Sequence, residues 1–190
     1  MTTLRHRLDT SMRDSWDRRI RRAEELATSD NPAGALLCFY ARLLKSQKTL
    51  HESLNNLRHV ERSGGLEADL NAIRRSARTF LHDMADQGPD PIALDAKHLL
   101  SGPEQALDDL VRAYWQMPSD RQFFAKAVLQ PYAQWRREIG AVPLRADRLR
   151  TANRCPYCAG APQLAILDTP MEAAADGGGR NLLCSTCLAV

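Results

Sequence analysis

Cys155-Pro156-Tyr157-Cys158 and Cys184-Ser185-Thr186-Cys187 are two C-x-x-C turns, and 25 residues separate them. That spacing is close to the one from which zinc sites are read, with each turn presenting two sulfurs to one shared ion. A thiolate sits about 2.3 Å from bound zinc, and two such turns at the ends of a hairpin complete a tetrahedron. Four thiolates around a divalent ion leave a formal charge of −2, which turn amides offset by pointing N–H groups at the sulfurs. Such a shell leaves no open position for water. It therefore predicts a structural or electron-transfer ion rather than a Lewis acid for hydrolysis. The expected site is one Zn or Fe ion held by Cys155, Cys158, Cys184 and Cys187, since tetrahedral S₄ suits either metal.

Two other chemistries are open to the same residues. Cys-Pro-Tyr-Cys is also the dithiol sequence of glutaredoxin-like enzymes, in which a thiolate at a helix N-terminus reacts. Against this, Gly160 and Pro162 follow almost at once, so the pair cannot open a long helix, and no βαβ pattern surrounds it. Disulfides would require an oxidising compartment. The fifth cysteine, Cys38, lies between Leu37 and Phe39 and reads as a small buried hydrophobe. His51 and His59 are eight residues apart on one helical stretch, and His82 and His98 lack ligands at metal spacing, so the histidines read as structural or surface groups. The sequence carries no Gly-rich phosphate loop, no serine nucleophile elbow and no H-E-x-x-H. No catalytic residue is assigned, and a non-enzymatic role is expected.

The elements that position these cysteines divide the chain in two. Residues 1–140 read as a helical bundle of five or six helices. Trp16, Ile20, Ala23, Leu26 and Ala27 recur at helical spacing between charged residues. Asn31 before Pro32 reads as an N-cap with proline at the first helical position. Leu36, Tyr40, Leu43, Gln47, Leu50, Leu54 and Leu57 then form one stripe, ended by Ser63-Gly64-Gly65. A second stripe, from Leu66 through Leu70, Ile73 and Ala77 to Met84, ends at Gly88-Pro89, and the short connections predict antiparallel neighbours. Ser101 with Glu104, and Ser119 with Gln122, read as capping boxes of two further helices. Pro131 inside the last of them predicts a kink or break. Asp14 to Arg18 and Asp17 to Arg21 are i,i+4 pairs that make the arginines at 18–22 a solvated face. Residues 141–153 read as a linker, and 154–190 as a small module. In it, short β-like stretches at Gln163 to Leu167 and Asn181 to Cys184 flank the turn Asp176-Gly177-Gly178-Gly179. The predicted class is mainly α: a helical bundle followed by a small rubredoxin-like or zinc-ribbon metal-binding β hairpin. So small a hairpin, poor in large apolar residues, would draw its stability from the ion, on the order of 10 kcal/mol.

Composition narrows the partners. With 44% hydrophobic and 26% charged residues in 190, the chain is of globular type. A net charge of +3 from 26 basic and 23 acidic residues is too balanced to indicate nucleic acid or an anionic membrane surface. A zinc ribbon contacting nucleic acid would need cations on the ribbon itself, where Arg154 and Arg180 are a thin supply. No apolar run is long enough to span a bilayer, and Arg5, Arg7, Asp9, Arg13 and Asp14 interrupt any signal-peptide core, which makes the cytoplasm the expected compartment.

Taken together, these segments resemble the formate dehydrogenase accessory protein family, FdhE. The resemblance is carried by Trp16-Asp17-Arg18-Arg19-Ile20 with Ala23-Glu24-Glu25-Leu26-Ala27, and by Phe39-Tyr40-Ala41-Arg42-Leu43-Leu44-Lys45-Ser46-Gln47. It is most specific at Cys155 to Pro162 and at Leu182-Leu183-Cys184-Ser185-Thr186-Cys187. It implies a cytoplasmic, non-catalytic assembly factor with rubredoxin-like metal sites that binds the catalytic subunit of formate dehydrogenase. Two departures are visible. The family continues into a second pair of C-x-x-C turns, so the chain reads as a shortened member with one complete site, and Ala159 stands where a knuckle commonly has glycine.

Overall fold

A computed structural model describes residues 15–28, 30–56, 65–119, 121–140, 154–155, 157–158, 160–167 and 180–188. The expected linker at 141–153, the turn at 176–179, Asp14, Leu57, His59 and Ala159 lie outside the described residues. Among those described are six helices and one two-stranded sheet. Helix α1 covers 15–26, α2 Gly34–Asn56, α3 Gly65–Gln87, α4 Asp90–Ser101, α5 Glu104–Gln116 and α6 Phe123–Glu138, followed by β1 Pro162–Leu167 and β2 Arg180–Cys184. The mainly helical class with a terminal hairpin is thus as the sequence predicts. None of these helices is long and apolar enough to cross a membrane.

The chain divides into two compact units, one of Met1–Ser53 with Arg75–Pro103, the other of Leu54–Arg74 with Glu104–Val190. In the first unit, Trp16, Ile20 and Leu44 form a cluster between α1 and α2. Its rim is ionic: Lys48 meets Asp17 at 2.7 Å and Lys45 meets Glu24 at 2.6 Å. Asp17, predicted to pair with Arg21 along its own helix, is held across helices by Lys48. Arg19 stacks over the Trp16 ring at 4.0 Å. Helices α2 and α3 run antiparallel, as the short connection predicts. Ser46 donates to Asp83 at 2.8 Å, and the Ser53 and Ser76 hydroxyls lie 3.0 Å apart, so seven residues forward on one helix match seven back on the other.

The start of α2 corrects the predicted stripe. Asn31 does shape the entry, its Oδ1 accepting from the Ala33 N–H at 2.9 Å. From there the buried line runs through Gly34, Ala41, Leu44, Gln47, Leu50 and Leu54, while Leu36 is 67% exposed and Tyr40 is also exposed. Small residues mark the contact: a Cβ on Gly34 would stand 2.7 Å from the Thr28 carbonyl oxygen. Cys38, expected to be buried, is exposed on the outer side of this line.

Further along, residues 90–101 form a full helix, and Ser101 belongs to its end. Its hydroxyl donates to the Lys97 carbonyl at 2.9 Å instead of capping α5. In the second unit α5 is anchored to the first half of α3. Arg74 pairs with Glu104 at 3.1 Å and also binds Asp108, and Arg112 holds Glu67 at 3.0 Å. The Ser119 hydroxyl accepts from the Arg121 N–H at 3.3 Å, within a turn before α6, and gives α6 no side-chain cap. Pro131 does not break α6, which runs unbroken from Phe123 to Glu138. Ten of its 16 residues are buried, Phe124, Val128, Leu129, Tyr132 and Trp135 among them. Burying each large apolar side chain contributes about 1.5–3 kcal/mol, and several together outweigh the roughly 3 kcal/mol that an interior proline costs.

Candidate metal centre

The hairpin brings the two turns together. β1 and β2 are antiparallel, with Leu164 opposite Leu183, Ala165 opposite Leu182 and Ile166 opposite Asn181. The register shifts between Pro162 and Leu164, which leaves Pro162 opposite Cys184. Backbone bonds close the end of the ladder: the Cys155 N–H donates to the Gly160 carbonyl at 2.9 Å, and the Ser185 N–H to the Ala161 carbonyl at 3.0 Å. The second of these ties one turn to the other.

All four cysteines predicted as ligands meet here. Their sulfurs lie within 4.8 Å of one another, and all four side chains are buried. Cys155 and Cys187 Sγ are 3.5 Å apart, and Cys158 and Cys184 Sγ are 3.4 Å apart. Zn–S bonds of about 2.3 Å in a regular tetrahedron place sulfurs about 3.8 Å apart, so the cage is already of the right size for one ion. The donor set fits too, since four soft sulfurs with no oxygen or nitrogen among them suit Zn or Fe. None of the cysteines is in a disulfide. Among the described residues neither C-x-x-C turn opens a helix, so the feature that activates a redox dithiol is missing at both.

Four like groups in one buried cage cannot all ionise without an ion, and their shared protons divide them into two kinds. A hydrogen bond from Cys158 holds the Cys155 thiol down to about 7. Hydrogen bonds from Cys155 and Cys158 hold Cys184 far below the ordinary thiol range, and the Thr186 N–H adds a contact to its Sγ at 3.3 Å. Hydrogen bonding with Cys155 is the main cause that pushes Cys158 and Cys187 up. A divalent cation bound in the cage would hold all four as thiolates.

Residues outside the C-x-x-C motifs complete the centre, and sequence reasoning missed them. The four cysteines pack on Ala133 of α6, with the half-buried Trp115 of α5 against them. The Tyr114 hydroxyl, also from α5, lies 3.4 Å from Thr186 Oγ1 in the buried interior. Gly160 is the tightest point: a Cβ there would meet Thr186 Oγ1 at 2.6 Å and Cys184 Sγ at 2.9 Å. A C-x-x-C-x-G reading could have found Gly160, but nothing in the helical periodicity names Ala133 as the floor of a site more than 20 residues downstream. The left-handed backbone position falls at Leu188, directly after Cys187, with φ of 54°. A non-glycine residue there stores about 1–2 kcal/mol of strain, which the surrounding turn must hold.

No protein-family model, no curated protein and no solved structure matches the chain. Its class follows from its own architecture: a mainly helical protein with a small hairpin and a zinc-ribbon-like group of four cysteines that could hold one metal ion.

Proposed function

We propose that this chain is a non-catalytic assembly factor that binds the catalytic subunit of formate dehydrogenase in the cytoplasm, with one Zn or Fe ion on Cys155, Cys158, Cys184 and Cys187 holding its hairpin closed. The observation that supports the non-catalytic part is the closure of the cage: four buried thiols lie within 4.8 Å of one another, enough to fill all four positions of a tetrahedral ion. An ion so enclosed has no position for substrate, and its contribution is to fold the residues around it. Those residues include α5 and α6 through Trp115, Tyr114 and Ala133, so the ion supports a helical surface as well as its own hairpin. The choice of client rests on the resemblance of the helical and cysteine segments to the formate dehydrogenase accessory family.

The test is a pull-down of the formate dehydrogenase catalytic subunit by the full chain, loaded with metal and after chelation, with elemental analysis of the bait. Retention by the loaded chain that falls on chelation supports the proposal. Failure to retain the subunit in both states overturns the assembly role, and absence of metal from the purified bait overturns the reading of the cysteines.

A further inference from the structure

Two of the close sulfur contacts join different turns. Cys155 of the first turn faces Cys187 of the second at 3.5 Å, and Cys158 faces Cys184 at 3.4 Å. A disulfide needs sulfurs about 2.05 Å apart, so either pair must close by about 1.4 Å to join. Of the three possible pairings, bridging within the turns and bridging between them have opposite consequences. Bridges within the turns, Cys155 to Cys158 and Cys184 to Cys187, would use up the thiols and leave the turns unlinked. Bridges between the turns span sequence separations of 32 and 26 residues and hold the hairpin ends together, which is the task assigned above to the ion.

We propose that the centre is a two-state staple: hydroperoxide oxidation expels the ion and replaces it with disulfides Cys155–Cys187 and Cys158–Cys184, which keep the hairpin closed on α5 and α6. The inference rests on the metal reading above and adds what the same thiols do when the ion is lost. Cys155, the most exposed of the four at 9%, is where the oxidant enters. Its sulfur attacks one peroxide oxygen, the O–O bond breaks, and the chain carries a sulfenic acid while hydroxide leaves as water. Cys187 sulfur then displaces the second hydroxide, forming the S–S bond. Cys158 and Cys184 repeat the sequence with a second peroxide. For the whole centre, a tetrathiolate of one divalent ion, two hydrogen peroxide molecules and four protons give two disulfides, the free ion and four waters. Four electrons leave sulfur and reach peroxide oxygen. The seat survives because Trp115, Ala133 and the Tyr114 to Thr186 contact lie against the cysteines and require only that the turns stay together.

The sequence supplies a simple readout. Arg154 and Arg180 bracket the first turn, so trypsin releases 155–180 and 181–190 as separate peptides, each carrying one C-x-x-C pair. The full chain is loaded with zinc, its zinc content is measured, and it is treated with hydrogen peroxide in the presence of a chromogenic zinc indicator. The expected result is release of one zinc per about two peroxide molecules consumed and a disulfide-linked pair of the two tryptic peptides under non-reducing conditions. In Cys155→Ser the single remaining link is Cys158 to Cys184. Hydrogen exchange at Tyr114 and Trp115 stays slow in the zinc-loaded and oxidised chains and becomes fast in the reduced, zinc-free chain. Unlinked peptides with disulfides inside each, or cysteines carried on to sulfinic acid, overturn the proposal. So does fast exchange at Tyr114 and Trp115 after complete oxidation. A chain that binds no zinc overturns the metal reading instead, while its reduced form still reports the preferred disulfide pairing under the same oxidant.

Discussion

Gly160→Ala is the smallest change that addresses the metal centre without touching a ligand. The added methyl carbon would stand 2.6 Å from Thr186 Oγ1, 2.9 Å from Cys184 Sγ and 3.1 Å from Thr186 Cβ. Overpacking a tight interior by one methyl group costs typically about 1–3 kcal/mol. This site belongs at the upper end of that range, because neither neighbour has room to retreat. Thr186 is backed by Tyr114, and Cys184 Sγ is fixed by its place in the cage. A cost of about 2–3 kcal/mol that falls on closing the centre weakens zinc binding by roughly 30- to 150-fold, since 1.4 kcal/mol is a factor of ten. The assay is competition against a chromogenic chelator at one fixed pH, because protons compete with the ion for thiolates. Thr186→Ala removes the nearest clashing atom, so Gly160→Ala with Thr186→Ala loses less affinity than the two single changes combined, by about fivefold or more. Zinc affinity of Gly160→Ala within about threefold of the parent, or strictly additive effects in the double variant, would refute the packing argument.

Two further outcomes follow from the buried polar group on α3 and α6, where Asp69 accepts from the Tyr132 hydroxyl at 2.7 Å and from Arg136 at 3.3 Å. Asp69→Ala leaves the half-buried Arg136 without its carboxylate and should cost about 3 kcal/mol in urea unfolding, the lower end for a buried pair, with Asp69→Asn recovering part of it by keeping an acceptor. Burial, reinforced by the bond to Asp69, pushes the Tyr132 phenol above its ordinary value of about 10. A raised folded-state value means that this contribution is complete below pH 10 and declines as pH rises beyond it, because the unfolded chain ionises first. Urea midpoints measured from pH 9 upward should therefore fall more steeply in the parent than in Tyr132→Phe, and parallel slopes would count against the assignment.

Much of the architecture is visible in residue order, and the exceptions share a cause. The cysteine spacing located the cage because ligand geometry is local to each turn and two turns suffice. The hairpin was legible from its two short β-like runs. Helices were legible as helices, since the 3.6-residue period survives almost any packing. Their rotation and their ends were less so. Leu36 and Tyr40 continue the helical period of α2 yet are exposed, whereas Gly34 and Ala41, which carry little hydrophobic signal, are buried. Ser101 with Glu104 has the spacing of a capping box, but Lys97 and His98 offer carbonyls to the serine and Arg74 claims the glutamate. A single local rule yields here to competing contacts, some in the preceding turn of the same helix and some across the fold.

The same distinction explains why the metal centre is more than its motif. Two C-x-x-C turns specify four sulfurs, and a hairpin register specifies that they meet, yet β1 is exposed from Pro162 to Ile166 and adds almost nothing to a core. The burial that the turns have comes from each other and from α5 and α6: Cys187 is fully buried, Thr186 nearly so, and both lie on the side that carries the contacts to Ala133, Trp115 and Tyr114. Closing the cage and seating it on the helices are therefore one event. An ion or a pair of disulfides that fixes the turns also covers Trp115 and Ala133, and a loss of closure exposes them. Strain at Leu188 and the tight fit at Gly160 make the closed state specific in shape, and an ion bound by the four cysteines would supply the energy that holds a hairpin with so little core in that shape.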